Sequence, residues 1–210
     1  MKEMHYDAIT LGEKDFGLGI DFIKEMEKNF TLPFVSCNIF WHKNQKPFTK
    51  QYIVKKRSGI KIGIVGVIST DAFLPEKLIV KPAEEVLPVI LTKLTQKEKC
   101  NFLILLSHTG TSQSEELIKR FPQFNLVILG HGAPLSLKAE KINSTFRVGL
   151  GSKGKYIANL KFSVSKNNIN YETDEITPLK ENIPDDPYML LLIERWKQEE
   201  QNWNKQHAPK

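Results

Sequence analysis

Two histidines in this sequence occupy matching places. His108 follows the apolar run Phe102–Leu106 and Ser107, and leads into Thr109-Gly110. His131 follows Leu126–Leu129 and Gly130, and leads into Gly132. A histidine at the end of a buried strand projects into the crevice above its sheet, and imidazole is a common ligand for first-row metals. Either residue alone reads more plainly as a loop histidine satisfied by its neighbours. The pair, on consecutive strand–helix units, points to a shared site. Two imidazoles fall short of the three or four protein ligands that a stable metal needs. A third group follows the first apolar run, Ala8–Leu11: Gly12 and then Glu13-Lys14-Asp15. A carboxylate there suits a hard cation and a lysine suits an anion. The plainer reading is a solvated turn whose acid caps the following helix. Other candidates fail. Ser107 and His108 are sequence neighbours, point differently and form no nucleophile–base pair. The segments Gly17–Gly19 and Gly149–Gly154 lack dinucleotide-loop or phosphate-loop context, and His5, His42 and His207 are isolated.

These loops need a scaffold that brings strand ends together. Strand-like runs at Ala8–Leu11, Pro33–Phe40, Lys61–Ile68, Phe102–Leu106 and Leu126–Leu129 alternate with helical patterns at Leu18–Asn29, Pro82–Lys97 and Ser114–Phe121. Ser58-Gly59 reads as a hairpin turn between Gln51–Lys56 and Lys61–Ile68. The runs KIGIVGVI and FLILL are apolar nearly throughout, the mark of strands covered on both faces, and Gly63 and Gly66 predict close packing against another layer. Pro88 is expected in or near a kink. Late strands are read at Phe146–Leu150 and Ile157–Val164, and a last helix at Tyr188–Trp203 with a broad apolar face. The alternation predicts an α/β fold with at least one largely parallel sheet, whose ligands sit at the carboxyl ends of its strands. The three polar loops lie at that place.

Composition narrows the function classes. The chain has 210 residues, 40% hydrophobic and 26% charged, enough apolar material for a core and too much for a disordered chain. The net charge of +6 comes from scattered lysines with no aromatic–basic motif, which argues against nucleic-acid binding. The two cysteines, Cys37 and Cys100, make no ligand spacing and no disulfide framework, and both read as core or near-core thiols. No apolar run is long enough to span a membrane, and the first residues lack the apolar stretch of a signal peptide.

Five segments in order carry a family resemblance. MHYDAITLGEKDFGLGIDFI is similar to the YDAxxxGNHEFD stretch of 5'-nucleotidase-type metallophosphoesterases; PFVSCNIF resembles their PxLSANI strand; GIKIGIVGVIST resembles their GxKIGxIG strand; FLILLSHTG resembles IxLSHxG; and FPQFNLVILGHGAP resembles the xPxIDxIIGGHSH loop. Order and rough spacing match over residues 1–165.

The resemblance implies an α/β fold: part of a layered sandwich of two sheets flanked by helices, lacking the first strands. Residues 1–180 would be the C-terminal portion of the phosphoesterase domain and residues 181–210 a helical extension. It implies two divalent metals (Mn, Zn, Mg or Ca) and hydrolysis of phosphate esters, commonly nucleotides. Residue by residue the transfer is poor. His108 and His131 fall on metal-ligand positions. Glu13 replaces the asparagine ligand, Lys14 the catalytic histidine, Gly17 the aspartate that orients it, and Ala133 a further histidine. The Asp-x-His and Gly-Asp motifs would precede residue 1. The expected protein is therefore a divergent 5'-nucleotidase-like phosphoesterase, weak or inactive as this chain. The alternative is a non-catalytic anion-binding or interaction module on the same fold. A sulfur-compound-hydrolysing branch of the family is a weaker option, with Cys37 its only encouragement. Family members are mostly periplasmic or exported. The absent front strands would leave an apolar sheet edge, to be covered by a missing N-terminal segment, if Met1 lies inside a longer gene, or by a partner.

Overall fold

A computed structural model of the chain describes residues 2–165 and 168–207; the side chains of Asn168, Asp174, Asn204, Gln206 and His207 lie outside those described. Packing divides the chain into two units, residues 1–177 and 178–210.

The first unit is built on a six-stranded sheet. Its strands are β4 (Ile53–Arg57), β5 (Ile60–Ile68), β7 (Phe102–His108), β8 (Leu126–Leu129), β10 (Thr145–Gly149) and β9 (Glu140–Ile142), in the order β4-β5-β7-β8-β10-β9. The four central strands run parallel, and the two edge strands are antiparallel to their neighbours. The β4–β5 connection is the Ser58-Gly59 turn, with both residues at positive φ (47° and 81°). Helices α2 (Ala83–Thr92) and α3 (Thr111–Arg120) supply the crossovers. Leu87, Ile90 and Leu94 from the first crossover, and Leu117 and Ile118 from α3, bury one sheet face together with Leu103, Leu105 and Val127. Alternate residues Phe102, Ile104, Leu126, Ile128 and Phe146 face the other way, against Leu160, Phe162 and Val164 of β11 (Tyr156–Ser165). Apolar partners on both faces explain why these strands are continuous hydrophobic runs.

Smaller sheets complete the unit: β1 (Ile9–Thr10) with β2 (Phe34–Val35), parallel; β3 (Ile39–Trp41) with β6 (Leu78–Val80), antiparallel; and β11 with β12 (Asn168–Pro178). A Cβ at Gly66 would lie 2.2 Å from the Val35 carbonyl oxygen, so the glycine lets β2 lie directly on β5, where Cys37 N–H donates to the Gly66 carbonyl at 2.7 Å.

Several expected elements differ in detail. The strand expected over Pro33–Phe40 is two short strands in different sheets, split at Ser36–Asn38. The break is made by the buried Asn38 carboxamide, which donates to Ile68 O and Lys81 O and accepts from Ile68 N–H, taking up groups that a straight strand would pair. The helix expected from Leu18 is a 3₁₀ segment, Glu13–Leu18, followed by α1 (Ile20–Phe30). Pro88 sits inside α2, and the crossover ends in a π turn over Lys93–Lys97. Strands β6, β9 and β12 went unread in the sequence.

In the second unit, α4 (Pro187–His207) runs longer than the expected Tyr188–Trp203. Asp186 caps it, its carboxylate accepting from Met189 N–H at 2.9 Å. Tyr188, Leu191, Trp196 and Trp203 are exposed.

Candidate metal centre

The site forms where β1, β7 and β8 end side by side. His108 is the last residue of β7, His131 lies two residues beyond β8, and Glu13 opens the 3₁₀ segment after β1. His108 Nε2 is 2.7 Å from Glu13 Oε2 and 3.3 Å from His131 Nδ1. His131 Nδ1 is 3.6 Å from Glu13 Oε1. The imidazole centroids are 4.9 Å apart at 75°. One ligand atom from each of the three residues lies within 4.8 Å of the others, and no second group of this kind gathers among the described residues.

Each side chain is held by its surroundings. A Cβ at Gly12 would come within 2.6 Å of the His108 ring, and one at Gly130 within 3.2 Å, so two glycine backbones clasp the imidazole. Ser69 N–H donates to His108 O at 3.1 Å, and Gly130 N–H to Ser107 O at 2.8 Å. Behind the ring, the Ser107 hydroxyl lies 2.9 Å from that of Thr109 and 2.8 Å from that of the buried Ser114, which donates to Gly110 O at 2.6 Å. Burial works to raise the pKa of Glu13, but is outweighed by its own backbone N–H, by the His108 hydrogen bond and by the electrostatic attraction of both histidines. The carboxyl is held below its ordinary range and stays an anion.

The predicted loops thus meet, but not every residue plays its expected part. Glu13 joins the histidines instead of forming a solvated turn; the cap belongs to Asp15, whose carboxylate accepts from Gly12 N–H at 2.7 Å. Lys14 is exposed and does not line the cleft, as the plainer reading of a solvated turn has it; the alternative, an anion held beside the carboxylate, has no support in its position. Ala133 packs against the core shared by the sheet and its helices. Cys37 is fully buried, its thiol pushed up to about 12 by burial, so it offers no thiolate for sulfur chemistry.

The three residues line a cleft of about 540 Å³, shared with Ser69, Asp71 and Phe73 from the loop after β5 and with the first turn of α3. Sequence reasoning missed Asp71 and Phe73. The signal was present, because Ser69-Thr70-Asp71 also follows the carboxyl end of a buried strand. A carboxylate and two imidazoles with room beside them make a three-ligand set that leaves coordination positions open, suited to one divalent cation. The donor atoms fit such an ion, and among the described residues they are too few for two.

No family model matches the sequence. Protein 5NUC of Lutzomyia longipalpis is 21% identical over 97% of this chain and 40% of its own length. The 5'-nucleotidase of Vibrio cholerae is 22% identical over 85% of this chain and 39% of its own length. Among solved structures, a 5'-nucleotidase precursor from Thermus thermophilus superposes with a TM-score of 0.82 at 19% identity, over 96% of this chain and 45% of its own. The sulfate thiohydrolase SoxB of the same organism gives 0.78 at 23% identity, over 87% of this chain and 34% of its own. The chain therefore spans less than half the length of the relatives it matches.

Proposed function

We propose, from the homology of this chain to the 5'-nucleotidase-type metallophosphoesterases, that it is a divergent member whose Glu13, His108 and His131 hold a single divalent cation. We further propose that the chain by itself hydrolyses phosphate esters weakly or not at all. The observation that carries this reading is the convergence of the three ligand atoms within 4.8 Å. Mn, Zn, Mg and Ca are the cations the family implies, and two imidazoles favour Zn over the three harder ions. When bound, such an ion would polarise a phosphoryl oxygen and acidify a coordinated water.

The residues themselves do less than a full hydrolase requires. Glu13 supplies the anionic ligand and orients His108 through their hydrogen bond. Ser107, Thr109 and Ser114 fix the turn that aims the His108 ring. No histidine takes the proton-donor place, because Lys14 stands there, exposed and outside the cleft. Asp71 lines the cleft but belongs to no ligand group. Removing proton transfer typically costs about 10²–10⁴-fold in rate.

Nucleotides and other phosphate esters are the proposed ligands of the cleft. The test pairs two measurements on the purified chain with Mn2+ or Zn2+: binding of the cation, and hydrolysis of AMP or p-nitrophenyl phosphate. The reading expects cation binding that is lost in His108→Ala, with turnover near background. Robust hydrolysis that His108→Ala abolishes would overturn the claim of weak activity; absence of cation binding would overturn the site.

A further inference from the structure

A second cavity, of about 730 Å³, opens at the opposite end of the sheet. Asn101, immediately before β7, and Asn125, immediately before β8, line it. His108 closes the other end of β7, and seven residues of strand at ~3.3 Å each separate the two sites by roughly 20 Å. Nothing in the cation reading involves this cavity.

Its chemistry is one-sided. The lining holds Lys141, three asparagines, two serines and Tyr171, and no aspartate or glutamate. The asparagines at the strand starts are locked. Asn101 Oδ1 accepts from Lys61 N–H at 3.2 Å while Asn101 N–H donates to Lys61 O at 2.8 Å. Asn125 Oδ1 accepts from Leu103 N–H at 2.7 Å while Asn125 N–H donates to Leu103 O at 2.9 Å. A backbone N–H can only donate, so each carboxamide must turn its oxygen to the strand and its NH2 group away from it. Neither NH2 group has a protein acceptor among the described residues. An apolar wall adjoins these donors. Phe146 stacks on Tyr171 with centroids 4.7 Å apart at 25°, Ile169 lies beside them, and the Lys141 ammonium sits 5.7 Å from the Phe146 centroid.

We propose that this cavity binds a small organic anion with a flat apolar body, an aromatic carboxylate being the simplest case. Its oxygens would take the NH2 groups of Asn101 and Asn125 and the Lys141 ammonium, and its ring would lie on the Phe146–Tyr171 wall. Cationic ligands are disfavoured by the lysine and by the missing carboxylates. Fixed donors beside an apolar surface, in a concave site, are the usual make-up of a small-molecule pocket.

Benzoate is the probe, titrated into the 15N-labelled full chain and followed by the side-chain NH2 resonances of Asn101 and Asn125. The expected result is a saturable shift of both pairs, binding at least about 10-fold weaker in Lys141→Gln, and no saturable shift with neutral benzamide. His108→Ala should leave benzoate binding unchanged, which separates this site from the cation centre. Absence of a saturable shift with benzoate overturns the proposal. So does equal binding of benzamide, or unchanged affinity in Lys141→Gln. A response confined to residues of the His108 cleft overturns it as well.

Discussion

Gly12→Ala isolates the packing that holds His108. Gly12 has φ −114° and ψ 172°, extended backbone that any residue adopts, so alanine brings no backbone strain. Its backbone N–H bond to Asp15 can persist. The new methyl, however, would sit 2.6 Å from Cε1 and 2.7 Å from Nε2 of the imidazole. Ordinary carbon contacts lie at about 3.5–4.0 Å, so the ring must retreat by about 1 Å. Nε2 is also the atom 2.7 Å from Glu13 and 3.3 Å from His131, and a retreat of that size breaks both contacts. Misplacing a ligand by loss of its orienting partners typically weakens metal binding about 10–100-fold, while overpacking a half-buried site costs about 1–3 kcal/mol. Isothermal titration with Zn2+ and urea unfolding, run on wild type and Gly12→Ala, measure the two effects. Gly130→Ala, with a 3.2 Å approach to Nδ1, should give the milder version of both. Wild-type affinity and stability in Gly12→Ala would refute the reasoning, because the ring would then not be where the contacts place it.

Other outcomes follow from the same structure. Asn38→Ala removes three hydrogen bonds, two of them fully buried, and orphans backbone groups of Ile68 and Lys81. Chemical denaturation should show a loss of about 3 kcal/mol or more, at roughly 1 kcal/mol or more per bond. At pH 8, Cys37 should resist a disulfide reagent until the protein unfolds, since burial holds its thiol at about 12. The linked stability has a defined sign. The folded thiol ionises later than the unfolded one, so wild type should lose stability relative to Cys37→Ala as pH rises from 9 towards 12, and show no such difference below 9. Lys14→Ala should leave cation affinity unchanged within about 2-fold, because the side chain is exposed outside the cleft and charges there are well screened.

Much of the architecture is written locally in the chain. The runs KIGIVGVI, FLILL and LVIL are apolar on both faces, so they had to be central strands, and their carboxyl ends had to carry the site. The two histidines were legible for that reason. The role of Glu13 was harder to read, since nothing in Gly12-Glu13-Lys14-Asp15 distinguishes the acid that caps from the acid that faces a histidine 95 residues away. That choice is made by the 3₁₀ turn, which aims Glu13 and Lys14 differently. The split at Ser36–Asn38 was hidden because it depends on a carboxamide bonding to residues 30 and 43 positions further on. Strands β6 and β9 are three residues each, too short to show a period. Asp71 and Phe73 follow the end of β5 as His131 follows β8, but no histidine or glycine turn marks their place in the sequence.

We propose one cation held by three side chains, Glu13, His108 and His131. Equilibrium dialysis against Mn2+ or Zn2+ followed by elemental analysis should give about one ion per chain for wild type, a stoichiometry set by the three-ligand group. The ion should be lost in Glu13→Ala, His108→Ala and His131→Ala alike while each variant keeps its circular dichroism spectrum. Two tightly held ions per chain, or one ion that survives all three substitutions, would contradict the account.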